Sequence, residues 1–430
     1  MKRIYIFLAA VLFTTAIYSQ MVQKSRTGTF ALTNAKIYTV TQGEKMGTLL
    51  IRDGKIAGIG ESVSIPQGTE VIDCKGLTIY PGMIDGGDKL GLQEIQSVEL
   101  TQDFSELGEV NPHIQALTGV NPNSVLIPVT RVNGVTTVLT VPEGGLFTGT
   151  AALINLHGYT PDQMYAGFKA VVLSFPAVGR TGRRDNRTEE EMEEEKKKRL
   201  KNLDGVWEKA IVYARIDSLW RAGKGEEPDY YPEMAALAPV VRREAKLLVE
   251  VNTAGDIQTA IKWVQERKID AVFTGVQEGW RVADELAKAQ IPVITGPVLE
   301  SPRRTSDRYD RPYANAGLMF KAGVKVAIRT NDAENVRNLP YHAGFAAAYG
   351  MGREEAFKAV TIVPAEIFGV ANRMGSLEVG KEANLFVADG DPFETKTQIR
   401  YLFIQGWLIP LESRHTLLYD EFLNRTPGVK

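Results

Sequence analysis

Leu77-Thr78-Ile79-Tyr80-Pro81-Gly82-Met83-Ile84-Asp85-Gly86-Gly87-Asp88-Lys89-Leu90-Gly91-Leu92 is the stretch on which the fold turns. A β-rich segment ends at Tyr80, Pro81-Gly82 supplies a turn, and Met83-Ile84-Asp85 opens a strand of something larger. Upstream, Ala31–Tyr38, Thr48–Ile51 and Ile56–Ile59 read as short strands, with Asp53-Gly54-Lys55 as a hairpin turn. The same style returns at the far end in Gly375–Val387 and Ile399–Trp407. Each half is too small to bury a core alone, so the two are expected to join in one domain rather than hang as separate appendages.

Between them the chain alternates apolar β-branched runs with helical stretches. Strands are expected at 134–139, 246–252, 271–274, 292–295 and 324–328, and helices at 257–267, 279–289 and 314–322. That alternation is the mark of an α/β fold with parallel strands. A closed (β/α)8 TIM-like barrel is favoured over an open doubly wound sheet, because no Gly-x-Gly-x-x-Gly follows an early strand. The expected organisation is a composite β-sandwich from 21–80 and 375–413, a barrel over 81–374 and a C-terminal tail at 414–430. Residues 186–224 form an insertion in the barrel, an acidic-then-basic helical arm beginning with Glu189-Glu190-Glu191. Trp207 and Trp220 are candidate partner anchors on it, and Arg180–Arg184 reads as a loop.

The 430 residues are 44% hydrophobic and 24% charged, with a formal net charge of −2, which gives no electrostatic case for nucleic acid. Lys2-Arg3 precede an apolar run to Ile17 and a small residue at Ser19. At about 14 residues the run suits a cleaved secretory signal (residues 1–20) and falls short of the roughly 20 needed to cross a bilayer. The expected location is therefore periplasmic or secreted, with no membrane span after cleavage. Cys74 is the single cysteine, so an intramolecular disulfide is excluded.

The opening stretch, with Gly375-Ser376-Leu377-Glu378-Val379-Gly380-Lys381-Glu382-Ala383-Asn384-Leu385, resembles the amidohydrolase superfamily, in particular its imidazolonepropionase-like periplasmic members. The resemblance implies a (β/α)8 barrel beside a β-sandwich made from both termini. It also implies one or two zinc ions held at the barrel mouth, and hydrolysis of C–N bonds. The family pattern Pro-Gly-x-Ile-Asp-x-His-x-His is kept at Pro81, Gly82, Ile84 and Asp85, but Gly87 and Lys89 stand where the histidines belong. A middle strand with two family histidines reads Val249-Glu250-Val251-Asn252, so these positions are Glu250 and Asn252. The next histidine is Gly275, and the last-strand aspartate is Asn331, two residues after Arg329.

Metal-assisted hydrolysis needs neutral imidazoles and ionised carboxylates converging on the ion. The four histidines that remain, His113, His157, His342 and His415, show no ligand spacing and are read as packing or capping groups. No metal ligand and no cofactor are therefore expected. Gly87, Lys89, Glu250, Asn252, Gly275, Arg329 and Asn331 are expected to line the pocket at or beside the lost ligand positions. Lys89 and Arg329 would supply the charge of the missing metals, paired with Glu250 and with Asp332 or Asp88.

Two readings of function follow. In one, the chain is an exported, catalytically degenerate binding or partner subunit, taking a small-molecule or peptide ligand or associating with an active relative or a second copy. In the other it remains a hydrolase of C–N bonds working through an unconventional site, with Glu250, Asp332 and Lys89 as candidate catalytic groups.

Overall fold

The computed structural model describes residues 24–177 and 187–425. The expected signal peptide and the Arg180–Arg184 loop lie outside the described residues. The N-terminal strands are β1 (Phe30–Tyr38), β2 (Glu44–Arg52), β3 (Lys55–Gly60), β4 (Glu70–Asp73) and β5 (Thr78–Pro81). The barrel strands are β6 (Met83–Asp88), β7 (Val135–Thr140), β8 (Phe147–Asn155), β9 (Tyr165–Ser174), β10 (Leu247–Val251), β11 (Ala271–Gly275), β12 (Val293–Thr295) and β13 (Val326–Ile328). The chain then returns through β14 (Leu385–Ala388), β15 (Ile399–Ile404) and β16 (Trp407–Ile409).

The two chain ends meet in one continuous sheet of order β16-β15-β14-β5-β1-β2-β3, with β4 beside β1. The seam is the antiparallel pairing of β14 with β5, Leu385 opposite Pro81 and Val387 opposite Ile79. Alternate residues of both ends share a core, including Phe30, Ile37, Ile79, Leu385 and Phe403. The Phe30 and Phe403 rings lie edge to face at 5.2 Å. Burying each such ring stabilises the fold by about 2–3 kcal/mol, so neither half is complete without the other. The expected pair of sandwich layers is, in hydrogen-bond terms, a single sheet.

Strands β6 to β13 form the second sheet, in sequence order. It nearly closes: the Asn331 amide donates to the Gly87 carbonyl at 3.2 Å, and Ile84 and Ile328 reach the carbonyls of Val360 and Ala359. The barrel departs from the all-parallel expectation at one strand. β8 runs antiparallel to both β7 and β9, while the other joins are parallel. β8 is buried at every position but reads Phe-Thr-Gly-Thr-Ala-Ala-Leu-Ile-Asn, without the β-branched run of the other buried strands, so sequence patterning passes over it.

The insertion is the helix Glu189–Arg221, started by a reciprocal capping box between Thr188 and Glu191. It is a docked helix rather than a free arm. Leu203, Val206, Trp207, Ala210 and Ala214 are buried, and Trp207 packs on Trp263 at 5.4 Å. Lys196 bridges to Asp256 at 2.6 Å. Trp207 is thus an internal anchor, not a partner contact; Trp220 stays exposed. The tail begins as a capped helix, Arg414–Asn424.

Candidate functional site

Side chains two apart on a strand share a face, and that period builds the site. Ile84, Leu139, Leu248, Val272, Ile294 and Ala327 belong to the apolar cluster inside the barrel. Two residues further along three of these strands, the same face carries Glu250, Thr274 and Arg329. The floor of the barrel mouth is therefore a polar layer stacked directly on an apolar one.

Arg329 and Glu250 form a two-point ion pair in that layer: Nη2 donates to Oε1 at 2.9 Å, and Nη1 lies 2.8 Å from Oε2. The Arg329 side chain is buried and that of Glu250 keeps 30% of its surface. Thr274 Oγ1 donates to Glu250 Oε2 at 2.5 Å and Asn252 Nδ2 donates to Oε1 at 3.0 Å. Burial pushes the Glu250 carboxyl up, but the Arg329 charge and these hydrogen bonds outweigh it and hold the group below its ordinary range.

Two glycines make room for this pair. At Gly275, where φ is +80°, a Cβ would overlap Asn252 Oδ1 and Glu250 Oε1. At Gly87 a Cβ would press on Val141 and lie 3.6 Å from Arg329 Cδ, because the arginine stem crosses that residue. The space that side chains at 87 and 275 would use is filled by the ion pair.

The residues present do not fit a zinc ion. Zinc sites are built from imidazole nitrogens, thiolates and free carboxylates. Here positions 87 and 275 carry no side chain, 252 and 331 are carboxamides, and the one carboxylate among the mapped positions is neutralised by a guanidinium. Among the described residues no group of three or more His, Cys, Asp and Glu is gathered to hold an ion.

Lys89, Asp332 and Asp88 find partners other than those expected. Lys89 does not meet Glu250. Its ammonium bridges to Glu143 at 3.0 Å and lies over the Phe104 ring at 4.7 Å. Asp332 is exposed and caps its own turn, accepting from Glu334 N and Asn335 Nδ2. Among the described residues Asp88 pairs with no cation and its buried Oδ2 has no partner; its other carboxylate oxygen accepts from the Leu90 amide. Burial, then the neighbouring Asp85, raises Asp88 well above the ordinary carboxylate value. Asp85 is fully buried and clamps β6 to the β13 end, accepting from Thr330 Oγ1 at 2.6 Å, Thr330 N at 3.1 Å and Gly87 N at 2.9 Å. Burial lifts it to about 6 despite those donors.

Beside the ion pair, which is not part of its lining, opens a cleft of about 500 Å³, a size that suits a small ligand. Of the residues expected to line the pocket, Lys89 and Asn331 line this cleft, whereas Gly87, Glu250, Asn252, Gly275 and Arg329 do not. Asp332 lines it too, as do Gln93, Gln96, Asn335 and Asn338, which patterning does not single out, and His342, which the sequence reading takes as a packing or capping group. His342 Nδ1 accepts from the Val298 amide at 3.1 Å, and burial pulls its pKa to about 4, so the ring is a neutral wall.

Residues 133–410 match the model of the amidohydrolase family. The chain is similar to the amidohydrolase tasK of Hapsidospora irregularis, 19% identical over 393 residues, which are 84% of this chain and 39% of that protein. It therefore spans well under half the length of that relative. Over 84 residues, 19% of the chain, it is 36% identical to an imidazolonepropionase of Syntrophobacter fumaroxidans, covering 20% of that protein. Among solved structures it is similar to an amidohydrolase from Thermotoga maritima MSB8, with TM-score 0.77, 24% identity and coverage of 89% of this chain and 99% of that one. Molinate hydrolase superposes with TM-score 0.57 and 17% identity over 94% of this chain and 99% of that one. These structural likenesses speak to the fold alone. With more than half of its length matched by the family model, the chain belongs to the amidohydrolase family.

Proposed function

We propose that this protein is an exported member of the family whose barrel mouth binds a ligand or partner without a catalytic metal. The observation that carries the reading is the Arg329–Glu250 pair, seated where side chains at Gly87 and Gly275 would otherwise project. A guanidinium there supplies fixed positive charge and ties β10 to the β13 end, but it cannot lower the pKa of a bound water as a Lewis acid does. Export rests on the charged start and short apolar run of residues 1–20. Among the described residues no helix is long and apolar enough to cross a membrane.

The second reading, hydrolysis of a C–N bond, is favoured by family membership. It asks Glu250 to act as a general base, and Glu250 is badly placed for that. Its lone pairs are held by Arg329, Thr274 and Asn252, and its basicity is reduced by them. Assay of dipeptides, N-acyl amino acids and hydantoins, with and without added zinc, separates the two. The binding reading expects no turnover above the buffer rate in either condition; turnover lost in Glu250→Gln would replace it with the hydrolase reading.

A further inference from the structure

The cleft does not end at its polar wall. Leu299 and Glu300 line it on one side and, on the other, line a shelf of about 400 Å³ whose wall is aromatic: Tyr309, Tyr313 and Phe345. The helix Leu339–Ala346 serves both, since His342 faces the cleft and Phe345, one turn on, faces the shelf. Tyr313 packs on Phe345 at 5.3 Å and on Tyr349 at 5.2 Å, which fixes the platform. Tyr309 is 68% exposed, so its ring is open to a ligand.

The cleft half is rich in carboxamides: Gln93, Gln96, Gln277, Asn331, Asn335 and Asn338. Each offers two donors and an acceptor without a charge. Gln277 is held between Glu300 and Arg303, and Asn335 between Asp332 and Asn338. The side chains of Gln93, Gln96 and Asn331 engage no protein partner among the described residues. The charge balance selects further. Lys89 is the one basic side chain in the lining and is matched by Glu143, His342 is neutral, and Glu300 and Asp332 add carboxylates. An anionic ligand, including a dipeptide or N-acyl amino acid with a free carboxylate, meets no unmatched cation here.

Resting on the metal-free binding reading, we infer that cleft and shelf together form one binding site for a neutral oligosaccharide. Its hydroxyls pair with the carboxamides and with the free oxygen of Glu300, and the C–H face of one ring packs on Tyr309 and Phe345.

Isothermal titration of the full mature chain with maltotriose, cellotriose and N,N′,N″-triacetylchitotriose tests this. Saturable binding of at least one trisaccharide is expected, weakened about five- to tenfold in Tyr309→Ala and by a similar factor in Gln96→Ala. Both are exposed positions, and circular dichroism checks that the variants stay folded. Binding of none of the three, or binding that both variants leave unchanged, overturns the inference. Saturable binding of the dipeptide Gly-Pro in place of the sugars also overturns it while leaving the metal-free reading standing. Stoichiometric tightly held zinc overturns that reading first and the inference with it.

Discussion

Arg329, just beyond β13, and Glu250, on β10, meet side-on across the barrel floor, with Nη2–Oε1 at 2.9 Å and Nη1–Oε2 at 2.8 Å. Removing one partner strands the other in a half-dry site. Arg329→Met is expected to cost about 3 kcal/mol, the low end for a broken buried pair because Glu250 keeps some solvent. Urea unfolding of Arg329→Met, Glu250→Gln and the double variant measures the coupling, and the double variant should be far less destabilised than the two single losses added together. Additive losses would mean the contact is incidental.

Lys89 and Glu250 behave as strangers in this structure. A double-mutant cycle on Lys89→Met and Glu250→Gln is expected to show no coupling. The cycle on Lys89→Met and Glu143→Gln should show about 0.5 kcal/mol, as suits a pair whose acid is nearly half exposed. Coupling of the first pair rather than the second would place the lysine in the floor network instead.

Gly275 carries both a positive φ and a crowded Cβ direction. Gly275→Ala is expected to lose about 3 kcal/mol through backbone strain and overlap with Asn252 and Glu250. Gly275→His, which introduces the residue that the family resemblance implies there, should be at least as destabilising. A neutral effect of either on the urea midpoint would contradict the packing described around Glu250.

The buried acids give stability a pH dependence with two opposed parts. Asp85 titrates near 6 when folded against an ordinary 3.8. The folded state then holds more protons in that window, so this group costs nothing below about pH 4 and its penalty grows as pH rises through 6. Glu250 has the opposite sign: its folded value lies below 4.5, so its contribution is present above that value and is lost on further acidification. Asp88→Asn keeps the acceptor for Leu90, removes a buried carboxylate with an unpartnered oxygen and relieves Asp85. It should stabilise the protein at pH 7.5 by about 1 kcal/mol and by less at pH 4.5. Equal effects at both pH values would show that Asp88 is not a buried titrating group.

Much of this architecture is legible in the sequence. Val135–Thr140, Leu247–Val251, Ala271–Gly275, Val293–Thr295 and Val326–Ile328 fall where β-branched runs place strands. The join of the chain ends followed from neither half being able to bury Phe30 or Phe403 alone. β8 escaped because Gly149, Ala151 and Ala152 leave it without the β-branched run that marks the other fully buried strands. At the site, the family resemblance put Glu250, Lys89 and Arg329 at or beside the barrel mouth but did not choose between Lys89 and Arg329 as the acid's partner. That choice depends on Glu143 and Phe104, distant in sequence, which draw the lysine aside. The carboxamides of the cleft gave no signal, since a lone Gln or Asn in a loop looks like any solvated residue. His342 and Phe345 became informative only once the helix carrying them was placed between two cavities.

An arginine–glutamate pair occupies the barrel floor at and beside positions where the family resemblance implies metal ligands. Zinc content of the protein purified without chelator, and again after incubation with zinc and desalting, tests this most directly. The account predicts substoichiometric zinc in both preparations and no change in Glu250→Ala. About one equivalent or more retained through desalting, and lost in Glu250→Ala, would contradict it.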